Sequence, residues 1–193
     1  MLGNRKRGAH MGIADNSAKV QQTKRILADK LMELLERKSF RKITVNDICQ
    51  SAMVSRSTFY LHFDDKYQLF QYCIEQELRR LETAIKEGNI KSVICRTLDM
   101  LLEKKSFYYN TLATEPDQEL GHIFMDCFCQ FFAEQIESRR KTGQEIPGPV
   151  LIVSAFYAGG ITATNIQWIK NKFSIPKEEM ADCQQRLLSG LLD

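Results

Sequence analysis

Leu27, Leu31 and Leu34, with Ala28 and Leu35, recur at helical spacing and predict an amphipathic helix from about Thr23 to about Lys38. Residues 11–22 before it are polar and aperiodic, so residues 1–22 are expected to form a flexible tail. Thr44, followed three positions later by Asp47, makes a capping box with Asp in place of Glu. A second helix should therefore start there and run through Ile48 to about Ala52. Met53-Val54 forms a short turn, and Ser55 caps a third helix of about two turns, which the chain leaves near Phe63. Asp64-Asp65 caps a fourth helix at Lys66, with Leu69, Phe70, Cys73, Ile74, Leu78 and Leu81 on one side and Gly88-Asn89 as its stop.

Every later pattern is also helical. Ile94, Leu98, Leu101 and Leu102 share one face, Phe107 to Leu112 is a short aromatic segment, and Asp117 opens a long helix through about Thr142. Thr142 to Pro149 is a loop by composition. The run from Val150 to Lys172 is apolar nearly all round, so it needs cover on more than one side. Pro176 opens a last helix with Met180, Cys183, Leu187, Leu188 and Leu191 on one face. The expected fold is all-α, with about nine helices.

The third helix carries the first functional reading. Phe59 and Phe63 share a side with Val54 and should lock that helix onto Ile48. Arg56, Ser57 and Tyr60 then face outward. A face of Arg56, Ser57, Thr58 and Tyr60, with Lys66 just beyond, offers a base-edge donor, hydroxyls for phosphate oxygens and a cation for a phosphate. A solvated polar face on an ordinary helical hairpin is the bland alternative, but capped helices, a short turn and buried aromatics at this spacing favour a helix-turn-helix.

The run Phe40, Ile43-Thr44-Val45, Ile48, Ala52, Val54-Ser55, Thr58-Phe59-Tyr60, His62-Phe63, Lys66 and Leu69-Phe70 resembles the N-terminal domain of TetR-family transcriptional regulators. The resemblance covers about Thr23 to Leu78. It implies a helix-turn-helix domain over 23–70 and a helical regulatory and dimerisation domain over 71–193. By the same resemblance Thr44 and Val45 sit at the phosphate backbone, Arg56 and Ser57 face bases, and Ser55, Thr58, Tyr60, His62 and Lys66 complete the DNA contacts. Many members have Gly where this chain has Met53, and a left-handed backbone there would strain Met by about 1 kcal/mol. Phe156 to Gly160, Trp168 to Asn171 and Pro176 are diffusely similar to the dihydroxyacetone-kinase regulator subgroup.

Two further sites follow from the C-terminal half. Met100, Phe107, Tyr108, Phe124, Phe128, Phe131 and Phe156 are candidates for an apolar pocket taking a small-molecule effector, although phenylalanines at this spacing more often build core. Ser154, Ala158, Thr162, Trp168, Leu187, Leu188 and Leu191 on the last two helices are candidates for a homodimer interface. Together these imply a ligand-responsive regulator, expected to be a repressor, that binds a near-palindromic double-stranded DNA operator as a homodimer.

Composition changes this picture little. The net charge of +3 divides into +6 over residues 1–70 and −3 over 71–193, placing the basic half where the motif lies. Much of that excess comes from Arg5, Lys6 and Arg7, and Gly8 to Met11 reads like an expression-vector remnant. No signal-like segment and no membrane-spanning run stands out, so the chain is expected in the cytoplasm with no membrane partner. Six cysteines without a CxxC pair point to buried small hydrophobes; no metal, cofactor or catalytic residue is expected. Lys24 and Arg25 are secondary candidates for phosphate contact at a helix N-terminus.

Two rival classes remain. An enzyme is disfavoured because the sequence shows no nucleophile-base pair, phosphate loop or metal spacing. A helical adaptor acting through protein partners without sequence-specific DNA binding keeps the same fold, and a gel-shift titration separates it from the regulator.

Overall fold

The computed structural model describes residues 6–86, 90–113 and 118–189, and all regular elements among them are helical. In order they are α1 (Lys6–Leu35), a 3-10 turn at Phe40–Lys42, α2 (Val45–Ala52), α3 (Arg56–Tyr60), α4 (Lys66–Lys86), α5 (Ile90–Glu103), α6 (Lys105–Leu112), α7 (Gln118–Lys141), α8 (Val150–Lys170) and α9 (Lys177–Ser189). The stop expected at Gly88-Asn89, the cap at Asp117 and the interface candidate Leu191 lie outside the described residues.

The expected tail is corrected at once, because α1 begins at Lys6 rather than near Thr23. A helix nucleated on a packed segment propagates one hydrogen bond per residue, and this stretch contains no proline to stop it. Lys24 and Arg25 therefore lie mid-helix and do not oppose a helix dipole. The Lys24 ammonium instead sits 5.5 Å from the Phe63 ring centre and 5.9 Å from that of Tyr72.

Leu27, Leu31 and Leu35 of α1 pack with Ile43, Ile48, Phe59 and Phe63. Phe70 on α4 joins this floor to the rest of the molecule. Its ring centre lies 5.4 Å from Phe40, 5.3 Å from Phe124 and 6.3 Å from Phe107. The expected boundary near residue 70 thus falls inside one helix and one continuous apolar core.

Two polar links run beside that core. Lys104, between α5 and α6, donates to Glu77 on α4 at 2.7 Å, and the Asn110 amide of α6 donates to the Leu35 carbonyl at the end of α1 at 2.8 Å. The second bond satisfies a carbonyl that the helix end leaves without a partner.

The faces of α8 and α9 differ from expectation. Ser154, Ala158, Thr162 and Trp168 are buried within the chain, so the small residues admit α7 and α6 rather than a second protomer. The Trp168 indole donates to the Ile175 carbonyl at 2.8 Å and pins the loop before α9. On α9 the buried side is Met180, Ala181, Gln184 and Leu188, while Cys183 and Leu187 face out. Gln184 tolerates burial because its amide donates to Thr164 Oγ1 at 3.0 Å and Asn165 Oδ1 at 2.8 Å. By length and composition α8 matches a membrane-spanning helix, against the expectation that no run would; Ser154, Asn165 and Trp168 nonetheless place one side of it in the protein core.

Candidate nucleic-acid interface

Local hydrogen bonds set the angle between α2 and α3. The Asp47 amide donates to Thr44 Oγ1 at 3.1 Å, and the Thr44 amide donates back to Asp47 Oδ2 at 2.8 Å. These bonds hold the Asp47 carboxyl below the usual carboxylate range, the Thr44 backbone first and its hydroxyl second. The Thr44 hydroxyl also lies 2.8 Å from Asp47 Oδ2, so its proton is committed to the cap. In this arrangement the Thr44 hydroxyl serves as the cap of α2. Val45, half-buried, is the first residue of α2.

Met53 closes α2 with φ 54 and ψ 41, the left-handed conformation that the missing glycine would favour. Its side chain is 92% exposed, so packing does not compensate for the strain.

Ser55 then caps α3 by accepting from the Thr58 amide at 3.0 Å. The same oxygen lies 2.7 Å from the Ser57 hydroxyl and 2.8 Å from that of Thr58. Three hydroxyls thus cluster at the start of the helix. α3 spans five residues, shorter than the two turns expected, and a turn at Leu61-His62 carries the chain to Phe63. Phe59 and Phe63 are buried as expected, with ring centres 5.9 Å apart.

The outward face carries Arg56, Ser57 and Tyr60. The Arg56 guanidinium donates to the Tyr60 hydroxyl at 3.4 Å and sits 5.9 Å from its ring centre. This hydrogen bond raises the Arg56 pKa and keeps the group charged. Arg56 and Tyr60 therefore form one preoriented unit. Leu61, next in the chain, is 80% exposed. His62 is half-buried at the rear of this turn.

Lys66 has partners within the fold. Its ammonium donates to the carbonyls of Phe40 at 2.9 Å and Ile43 at 2.8 Å, and lies 4.4 Å from the Phe40 ring centre. The cation ties the start of α4 to the turn before α2, a structural role beyond the expected phosphate clamp. Its partners lie more than twenty positions earlier, and no local pattern announces them.

A cavity of about 130 Å³ opens among α4, α5, α7, α8 and α9. Phe128 and Phe131 line it, with Ile94, Phe132, Tyr157 and Ile161. Met100, Phe107, Tyr108 and Phe124 do not line it; Phe107, Tyr108 and Phe124 are buried core and Met100 packs against that core. Phe156 is 58% exposed and lines a second apolar hollow with Leu187 and Leu188. Burial pushes the Cys127 thiol up to about 12 and raises that of Cys129, so neither is poised for redox chemistry. Among the described residues, no group of three or more His, Cys, Asp or Glu could hold a metal ion.

A capped helix-turn-helix with an outward Arg and hydroxyl face, on an all-helical body with its own cavity, defines a DNA-binding transcriptional regulator. Residues 27–73 match "Bacterial regulatory proteins, tetR family", and residues 88–190 match "Transcriptional regulator C-terminal region". The chain belongs to the TetR family of transcriptional regulators.

It is 30% identical over 107 residues to the HTH-type dhaKLM operon transcriptional activator DhaS of Lactococcus lactis, a match covering 53% of this chain and 54% of that protein. The chain thus spans about half the length of that curated relative. Among solved structures, a TetR-family regulator from Syntrophomonas wolfei superposes with a TM-score of 0.62 at 20% identity, covering 89% of this chain and 95% of that one. FadR of Bacillus subtilis in complex with stearoyl-CoA superposes at 0.57 with 17% identity, covering 85% and 95%. These likenesses extend the shared fold over nearly the whole chain.

Proposed function

We propose that the protein is a ligand-responsive regulator that binds a near-palindromic operator as a homodimer. The observation that carries this reading is the Arg56–Tyr60 unit on the outward face of α3, beside the hydroxyls of Ser55, Ser57 and Thr58. Arg56 reads a base edge in the major groove, Ser57 and Tyr60 hold the adjoining backbone, and Val45 brings the start of α2 to a phosphate.

A helix of five residues presents little surface, so a second copy is needed. Exposed Leu151, Ile152 and Phe156 on α8 and Leu187 on α9 form an apolar face suited to a second protomer. A Cβ added at Gly159 or Gly160 meets nothing within 4 Å, which leaves room for a close helix approach. Phe156→Glu should convert a dimer into a monomer in analytical ultracentrifugation.

The effector site is the cavity lined by Phe128 and Phe131. Phe128 stacks 6.5 Å from Phe124, which meets Phe70, which meets Phe40 beneath the helix-turn-helix. This continuous packing supports a change in cavity occupancy reaching the spacing of the two reading helices.

A gel-shift titration against DNA flanking the gene tests the reading. Arg56→Ala should cost about 1–3 kcal/mol and relax preference at one position of each half-site. Wild-type protein that binds specific and random duplex equally would falsify it. Repression is the expected sign; the similar DhaS is an activator, and a promoter-reporter assay with and without the gene decides between the two.

A further inference from the structure

We propose that the cavity takes a small monoanionic amphiphile, with an apolar body about the size of one ring and a carboxylate-like head held at Arg139. This rests on the ligand-responsive reading and names the chemistry of its effector.

Size comes first. An apolar cavity of roughly 150 Å³ is enough for benzene. The volume here, about 130 Å³, suits a body of that order rather than a long chain.

The cavity is also graded along α7. Phe128, Phe131 and Phe132 line its apolar part, and Gln135 and Arg139 continue the same wall one and two turns further on. The donors of Thr97 and Gln184 in the lining are already spent. Thr97 donates to the Val93 carbonyl at 2.9 Å, and the Gln184 amide is spent on Thr164 and Asn165. No donor of theirs is left for a polar ligand atom.

Among the other polar lining residues the opposite holds. The side chains of Arg139, Gln135, Tyr157 and Gln144 make no hydrogen bond or ion pair among the described residues. Arg140 next in sequence pairs with Glu137 at 3.0 Å, whereas Arg139 lines the cavity. The Arg139 charge reaches Tyr157, where it opposes the rise that burial causes in the phenol. Guanidinium and phenol both line the cavity, a pair of donors suited to a carboxylate. Glu145, also in the lining, disfavours a second negative charge and limits the head group to one.

The test is isothermal titration of the full chain with 3-phenylpropanoate and with its neutral amide, 3-phenylpropanamide. The acid should bind at least ten-fold more tightly. Arg139→Gln should bring the acid down to the affinity of the amide without changing the amide, and Glu145→Gln should tighten the acid. Val93→Trp, which fills the apolar end, should abolish both, with its thermal melt reporting that it remains folded. Equal affinity for acid and amide, no binding of either, or an Arg139→Gln variant that keeps the preference overturns the proposal. Operator affinity measured on the same samples keeps the two readings apart. Selective acid binding with unchanged DNA affinity supports the ligand class and removes its coupling to DNA, whereas operator binding without acid binding keeps the regulator and removes this effector class.

Discussion

The ammonium of Lys66 lies 2.8 Å from the carbonyl oxygen of Ile43, across 23 residues of chain. With the Phe40 carbonyl at 2.9 Å, it fastens the start of α4 to the turn that leads into α2. A cation next to a reading helix is thereby used to hold that helix in place.

Lys66→Ala should therefore destabilise the protein by about 2 kcal/mol, since charged hydrogen bonds to partly buried carbonyls are lost. The salt dependence of DNA binding should change by less than one ion. Urea unfolding and binding across a salt series measure the two effects; unchanged stability with a slope reduced by about one would support the phosphate clamp.

Asp47 makes stability depend on pH. Its folded-state pKa is lowered by the Thr44 backbone and hydroxyl, so its contribution is complete above the unfolded value of about 3.9 and disappears as pH falls through the folded value. Asp47→Ala should be less stable than wild type at pH 7, and the gap should close on acidification below pH of about 4. Paired denaturation curves at several pH values check it, and a constant gap would argue against the capping role.

Met53 holds a left-handed backbone with an exposed side chain. Met53→Gly should stabilise the protein by about 1 kcal/mol, whereas Met53→Ala should gain little because the Cβ that causes the strain remains. Thermal melts of the pair separate backbone strain from side-chain effects.

The Glu77 side chain is 4% exposed and accepts from Lys104 at 2.7 Å. Glu77→Ala should cost about 3 kcal/mol, at the lower end for a broken buried pair because Lys104 retains 24% exposure. Glu77→Ala with Lys104→Met should recover part of that loss, and additive losses in the double mutant would show that the pair is not coupled.

Local chemistry made much of the reading domain legible in the chain. Thr44 with Asp47, Ser55 with Thr58, and the spacing of Phe59 and Phe63 act over three or four residues, so the sequence alone places both caps, the turn and the outward Arg56 and Tyr60. The same short reach explains why helices were correctly expected throughout.

Other assignments depended on partners distant in sequence. On α8, apolar nearly all round, no periodicity says which side meets the core; packing against α7 buries Ser154, Ala158 and Thr162 and leaves Leu151, Ile152 and Phe156 outside. Gln184 looks like a surface residue until Thr164 and Asn165 are brought to it, and Lys66 like a free cation until two carbonyls meet it. Likewise Phe107 and Phe124 became core while Arg139 came to the cavity lining. Helical state, the caps of α2 and α3 and the reading face were thus determined by neighbours along the chain. Which apolar face is covered, which polar group is already paired and where the cavity opens were decided only by tertiary packing, because burial is set by whatever the fold brings against a side chain.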